Sequence, residues 1–359
     1  MSTLHKNAFG VHTFSEIVSQ ADSWEGVFKR IDDNVEKFSK LYSQAEDVVF
    51  IGCGSGFNIA NAVAPFFQKV SGKTCRAVQS SDMAINPDSF LNKKRKSLVV
   101  GYSRSGDTTE SVAALKKAMN AGATTITINC FAQCKMAQIA DAALVLEESV
   151  EKSITTTRSL TAMVLSGYYL ATVFAGNEAM CADLKKLPNI VRTKMDSFEI
   201  VGKNIAKDDQ IQKYAFLGTG SFYGLAREAQ LKVKEMVLLP SDSYVSLDYQ
   251  HGPMSNVDEN MLVTILVSDS GRSCDIELAR NMKQLGGKVL VMCDKNNGDF
   301  DNSADYMVEL STNLGDGLRD ILYMPTLQFM AYYKSLAVGC DPDNPKNLNY
   351  HVEIDSDIQ

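Results

Sequence analysis

Three clusters of hydroxyl side chains and one short charged run are the residues here whose types and spacing could do chemistry. The clusters are Gly52-Cys53-Gly54-Ser55-Gly56, Ser103-Arg104-Ser105-Gly106-Asp107-Thr108 and Thr155-Thr156-Thr157. Ser103, Ser105 and Thr108 fall at a turn into a helix. Free backbone N–H groups and the positive end of the helix dipole favour an anion there. Hydroxyls add short hydrogen bonds to phosphate oxygens without needing a lysine. Gly106 lets the backbone approach closely. Helix capping accounts for a lone Ser-x-Ser-Gly equally well. Two more hydroxyl clusters at neighbouring strand ends favour a phosphorylated ligand.

The charged run is Leu231-Lys232-Val233-Lys234-Glu235-Met236. On a helix, Lys232, Glu235 and Met236 share one face. Sixteen residues after Glu235 comes His251-Gly252-Pro253, in a loop. A carboxylate and a histidine are the usual pair for moving protons next to a sugar carbonyl. Taken alone, Lys232 and Glu235 are more simply an ion pair on a solvated helix face, and His251 a structural histidine. The chain has only four histidines, so an imidazole in a plausible site is scarce.

These residues need a scaffold of strand ends. In the first half, short apolar strands are expected at 48–51, 98–101, 124–129 and 143–146, with helices at 57–70, 108–120 and 157–175. In the second half, strands are expected at 214–217, 262–267, 289–293 and 307–310. Helices are expected there at 225–237, 273–285 and 318–338. Strands alternating with helices indicate an α/β fold with parallel sheets. Ligands then sit beyond the carboxyl ends of the strands. The two halves are also copies. Phe50-Ile51-Gly52-Cys53-Gly54-Ser55 matches Phe216-Leu217-Gly218-Thr219-Gly220-Ser221 at an offset of 166, and Ser103-Arg104-Ser105-Gly106 matches Ser268-Asp269-Ser270-Gly271 at 165. A third landmark, the strands ending at Cys130 and Cys293, is offset by 163. The expected layout is a helical arm (1–45) anchored by Trp24, a first domain (46–180), a polar linker helix (181–205), a second domain (206–340) and an ordered tail (341–359).

The 359-residue length suits two domains. The net charge of −7 argues against a nucleic-acid or anionic-membrane partner. No apolar run is long enough to span a membrane, and Met1 to Gly10 is not a signal peptide. Eight scattered cysteines read as reduced, mostly buried thiols in a cytoplasmic protein. Cys130 and Cys134 have metal-like spacing without a second pair, so no metal is expected. The glycines at 52, 54 and 56 do not fit a dinucleotide fingerprint, and there is no P-loop. No cofactor is expected.

These motifs together resemble the tandem sugar-isomerase (SIS) domain family, from Glu16-Ile17 to Asn344-Pro345-Lys346-Asn347-Leu348. The chain is similar to the isomerase half of glucosamine-6-phosphate synthase, to amino-sugar-phosphate deaminases and to fructosamine-6-phosphate deglycases. The most specific element is Leu231-Lys232-x-Lys234-Glu235 followed by His251-Gly252-Pro253. The resemblance implies two flavodoxin-like parallel sheets flanked by helices. It implies that Glu235 moves a proton between C1 and C2 of an open-chain hexose 6-phosphate, and Lys232 is then expected to offset the charge that develops. It gives ring opening to His251, often reaching in from the neighbouring subunit of a homodimer. It gives the phosphate to Ser103, Arg104, Ser105 and Thr108, with Ser55 and Thr156 as further sugar-phosphate contacts. Two departures stand out. Ser2-Thr3 leads straight into the arm, so no glutaminase domain is expected. Tyr350 stands where the synthase has a tail lysine that forms an imine. The expected activity is therefore sugar-phosphate isomerisation or deamination through an enediol or enaminol. A deglycase comes next and a non-catalytic sugar-phosphate-binding protein third. Such sensors usually carry a DNA-binding domain, for which residues 1–45 are too short and not basic.

Overall fold

A computed structural model of the chain describes residues 9–354. Residues 1–8 of the expected arm and 355–359 of the expected tail lie outside the described residues. The arm forms three helices, α1 (Val11–Val18), α2 (Gln20–Asp32) and α3 (Val35–Ser43). The first repeat follows as β1 (Asp47–Gly52), α4 (Ser55–Ser71), β2 (Thr74–Gln79), α5 (Ser80–Ile85), β3 (Ser97–Tyr102), α6 (Thr109–Asn120), β4 (Thr124–Asn129), α7 (Lys135–Ile139), β5 (Ala142–Val145) and α8 (Arg158–Phe174). Two helices connect the repeats, α9 (Glu178–Leu184) and α10 (Leu187–Ala206). The second repeat is β6 (Lys213–Gly218), α11 (Ser221–Lys232), β7 (Ser241–Val245), β8 (Met261–Leu266), α12 (Arg272–Gln284), β9 (Lys288–Cys293), β10 (Tyr306–Glu309) and α13 (Met324–Ala337).

Each repeat builds a five-stranded sheet. The orders are β2-β1-β3-β4-β5 and β10-β9-β8-β6-β7, which are the same topology read from opposite ends. All pairings are parallel. β1, β3 and β8 are buried along their whole length, as expected of strands covered on both faces. The edge strands β2 and β7 are half-exposed and polar. β2 was not among the expected strands.

One continuous apolar core joins the arm, both repeats and the connecting helices. Trp24 is fully buried and donates its indole N–H to Thr161 Oγ1 at 2.9 Å. α10 is amphipathic rather than simply polar: Leu187, Val191, Met195, Phe198 and Ile205 are buried. α4 and α11 pack face to face across the boundary between repeats. A Cβ on Gly224 would lie 2.2 Å from the backbone nitrogen of Ala62, so only glycine lets the two helices come this close. That contact brings α11 of the second repeat over the strand ends of the first. Two elements depart from the expected helices. The helix expected over 225–237 changes at Val233–Val237 into a π-helical turn, ending at Leu238 with φ +63°. The final helix begins as a 3-10 turn, Asp320–Tyr323.

Candidate active site

A cleft of about 210 Å³ opens at the carboxyl ends of β1 and β3. The β1–α4 and β3–α6 loops, Thr156, Glu235 and the tail residues 348–352 line it. Gly54 turns the first loop into α4 at φ +52°, and Gly220 does the same in the second repeat at φ +63°. An L side chain is strained in both conformations.

The loop from Ser103 to Thr108 is a cradle of donors. Ser103 Oγ accepts from Gly106 N at 3.1 Å and Ser105 Oγ from Asp107 N at 3.2 Å. These are the turn bonds that capping alone would provide. Among the described residues, the backbone N–H groups of Arg104 and Ser105 meet no protein acceptor, so two donors remain for a ligand. Gly106 (φ +71°) packs on Cys134, whose Sγ a Cβ there would meet at 2.1 Å. Cys134 Sγ also caps α7, accepting from Ala137 N at 3.4 Å. The Cys130/Cys134 spacing is thus explained by packing. All eight cysteines are free; three are buried and the others half-buried, fewer than expected.

Arg104 is tied to the rest of the chain by several contacts. Its guanidinium donates to Glu151 Oε2 at 3.3 Å and to the carbonyls of Ser153 (3.1 Å), Ile154 (2.8 Å) and Tyr350 (3.1 Å). It also stacks on the Tyr350 ring at 3.9 Å. These contacts fasten the 151–156 loop and the tail to the cleft wall that Arg104 itself lines.

The charged cluster is buried, not solvated. Lys232 is fully buried, with Nζ 2.6 Å from Glu235 Oε2, 3.1 Å from Glu228 Oε1 and 3.1 Å from Thr156 Oγ1. Thr156 donates to Ser55 Oγ at 3.0 Å, and Ser55 donates to Glu228 Oε1 at 3.0 Å. Asn58 Nδ2 donates to Glu228 Oε2 at 2.9 Å. The π turn swings Glu235 to the cleft wall, its side chain 19% exposed, one helical turn beyond Lys232. Burial alone would lower the pKa of Lys232, but the Glu228 and Glu235 carboxylates reverse this and raise it. Burial raises the pKa of Glu228, opposed in part by Lys232. The ammonium is therefore a fixed charge against both carboxylates. Glu228 was missed from the sequence; its only signal was the i−4 spacing from Lys232.

His251 is elsewhere. It is exposed, follows the 3-10 turn Asp248–Gln250, and does not line the cleft of its own chain. The imidazole that does line it is His351 of the tail, which sequence reasoning passed over.

The second repeat carries a related cleft with altered residues. At the offset of 166, Glu228, Lys232 and Glu235 correspond to Ala62, Phe66 and Lys69. Phe66 and Lys69 line the second cleft with Ser221, Ser268, Ser270 and Asp316. There Asp316 accepts from Asp269 N at 2.9 Å and Ser270 N at 3.5 Å, the counterparts of the two unpaired donors in the first cradle. Buried Arg319 pairs with Asp316 and Asp269, both at 2.8 Å.

Fold and site together define a duplicated α/β protein with one open cradle of backbone donors and one buried lysine–glutamate cluster. The chain belongs to the SIS domain family, whose sequence model matches residues 41–173 and 209–337. It is 25% identical over 336 residues to the glutamine–fructose-6-phosphate aminotransferase (isomerizing) of Caldanaerobacter subterraneus, covering 90% of this chain and 54% of the relative. It is 26% identical over 329 residues to that of Haemophilus influenzae, covering 88% and 53%. The chain thus spans about half the length of these curated relatives. The crystal structure of glucosamine-6-phosphate deaminase from Thermotoga maritima superposes with TM-score 0.79 at 26% identity, covering 95% of this chain and 99% of that one. The tagatose-6-phosphate ketose/aldose isomerase of Escherichia coli shares the fold, with TM-score 0.85 at 24% identity, covering 97% and 99%. Among the described residues, no helix is long and apolar enough to cross a membrane.

Proposed function

We propose that the chain is an enzyme acting on an amino-sugar or ketose 6-phosphate by isomerisation or deamination. The observation that carries this is Glu235, on the wall of the cleft that holds the cradle and 2.6 Å from the buried Lys232 ammonium. The phosphate takes the donors of the Ser103–Thr108 loop, with Ser55 and Thr156 toward the sugar. Glu235 abstracts the proton next to the carbonyl or imine, forming an enediol or enaminol, and returns it to the neighbouring carbon. Lys232 offsets the developing negative charge without moving, because its partners already fix it. No cofactor enters this account. The free thiols support a reducing, cytoplasmic setting.

His251 completes the site from a second copy of the chain in a homodimer, where it assists ring opening. Exposed Val245 and Leu247, just before it in the chain, support a covered surface there. Co-expressing His251→Asn with Glu235→Gln then restores about a quarter of the activity through mixed dimers; no recovery contradicts a shared site.

The deglycase reading uses the same groups and differs in the amine expelled. A non-catalytic binder would have no use for Lys232 buried between two carboxylates. The test is incubation with glucosamine 6-phosphate and with a fructosamine 6-phosphate, assaying ammonia, free amino acid and aldose–ketose interconversion. Ammonia or interconversion supports the proposal, and amino acid alone supports the deglycase. No reaction with either substrate contradicts both.

A further inference from the structure

The cleft carries more negative than positive charge before any substrate enters. Glu228 and Glu235 share one cation, Lys232. Arg104, on the cleft wall, is committed to Glu151, three carbonyls and the Tyr350 ring. A phosphomonoester adds nearly two further negative charges. Hydroxyls and backbone N–H groups solvate that charge but do not neutralise it.

Among the described residues, one remaining group on the cleft wall can carry positive charge, and it is on the tail. Residues 348–352 cross the cleft. They are fastened by Arg104 to the Tyr350 carbonyl, by the Tyr350 hydroxyl to the Glu151 carbonyl at 3.1 Å, and by Thr109 N to the Val352 carbonyl at 3.3 Å. Thr109 follows Thr108 of the cradle and opens α6, so this last contact sets His351 at the phosphate end. Its side chain is 30% exposed, and Nε2 lies 3.2 Å from Oε1 of the exposed Glu353, which orients the ring. The charged groups sharing the cleft wall with it are Arg104 and Glu235.

We propose that His351 contacts the substrate, donating as an imidazolium to the phosphate of the bound sugar. The tail thereby supplies the charge that the acidic cleft lacks. This rests on reading the cleft as a phosphosugar site.

The test compares wild type, His351→Gln and His351→Lys. Binding of fructose 6-phosphate and of unphosphorylated fructose is measured by calorimetry, and kcat and KM on whichever substrate the wild type turns over. His351→Gln is expected to weaken fructose 6-phosphate binding about 10-fold or more. Fructose binding should be unaffected, KM should rise, and kcat should stay within about 3-fold. His351→Lys is expected to restore most of the lost affinity. Wild type that binds fructose 6-phosphate, with His351→Gln binding it within about 2-fold, overturns this proposal alone. Wild type that binds no phosphosugar overturns the phosphosugar reading, and this proposal with it.

Discussion

Lys232 is where the proposed chemistry and the stability of this protein meet. It is fully buried between Glu228 and Glu235, and an ion pair at such depth is held by mutual need rather than by net gain. Lys232→Met strands Glu228 in the interior and is expected to cost about 3–5 kcal/mol, read as a lower urea midpoint. The deficit shrinks as the pH falls, because a protonated Glu228 needs no counter-ion, and adding Glu228→Gln recovers most of it. A deficit unchanged by either would place the cost elsewhere. At this scale the sequence exposed the hydroxyl loops and the Lys232/Glu235 pair, because their spacing is local. It did not expose Glu228 or His351. Glu228 is an ordinary helical glutamate until Ser55 and Asn58 of the other repeat reach it. His351 enters the cleft because contacts from residues some 200 or more positions earlier, Arg104, Thr109 and Glu151, hold the tail down.

Among the elements, the loop at 151–157 delivers Thr156 to the cluster and is gripped from the arm by Glu16. Glu16 Oε1 accepts from Lys152 N at 2.6 Å and Ser153 N at 3.4 Å, while Oε2 is buried without a partner. Burial and the neighbouring Glu151 raise the Glu16 pKa from 4.5 to about 7. The folded state therefore binds this proton more tightly than the unfolded state. The associated stability is fully present below pH 4.5 and is lost as the pH rises through 7. Glu16→Gln should remove that slope, so its melting temperature gains on wild type between pH 5 and pH 8; a constant difference would contradict the assignment. Strand legibility followed burial. β1, β3, β8 and β9 announce themselves as apolar runs covered on both faces, and β4 (Thr-Thr-Ile-Thr-Ile-Asn) by its β-branched residues. β2 (Thr-Cys-Arg-Ala-Val-Gln) and β7 (Ser-Asp-Ser-Tyr-Val) are edges with one wet side and no such run. The π turn at Val233–Val237 left no mark on the helical pattern, although it aims Glu235.

For the whole molecule, duplication has produced one cleft with an open cradle and one whose cradle is filled. The 163–166 offset made the repeat legible, but not that the largest apolar cluster runs through both copies. Nor did it reveal that α11 of the second copy serves the cleft of the first. In the second cradle Asp316 already occupies the backbone donors, and Phe66 stands where Lys232 would be. A calorimetric titration with fructose 6-phosphate should accordingly saturate at one ligand per chain, and two equivalents would mean that Asp316 yields its place. The central claim is that Glu235 moves a proton at the carbon next to the carbonyl of a phosphosugar held by the Ser103–Thr108 loop. Deuterium exchange tests it most directly, whichever product is finally released. Wild type and Glu235→Gln are incubated in D₂O with fructose 6-phosphate and with glucosamine 6-phosphate, and label at C1 and C2 is followed by NMR. The account predicts incorporation by wild type and a loss of about 10²–10⁴-fold in Glu235→Gln with ligand binding retained. Equal incorporation by both proteins, or none by wild type with either sugar, would contradict it.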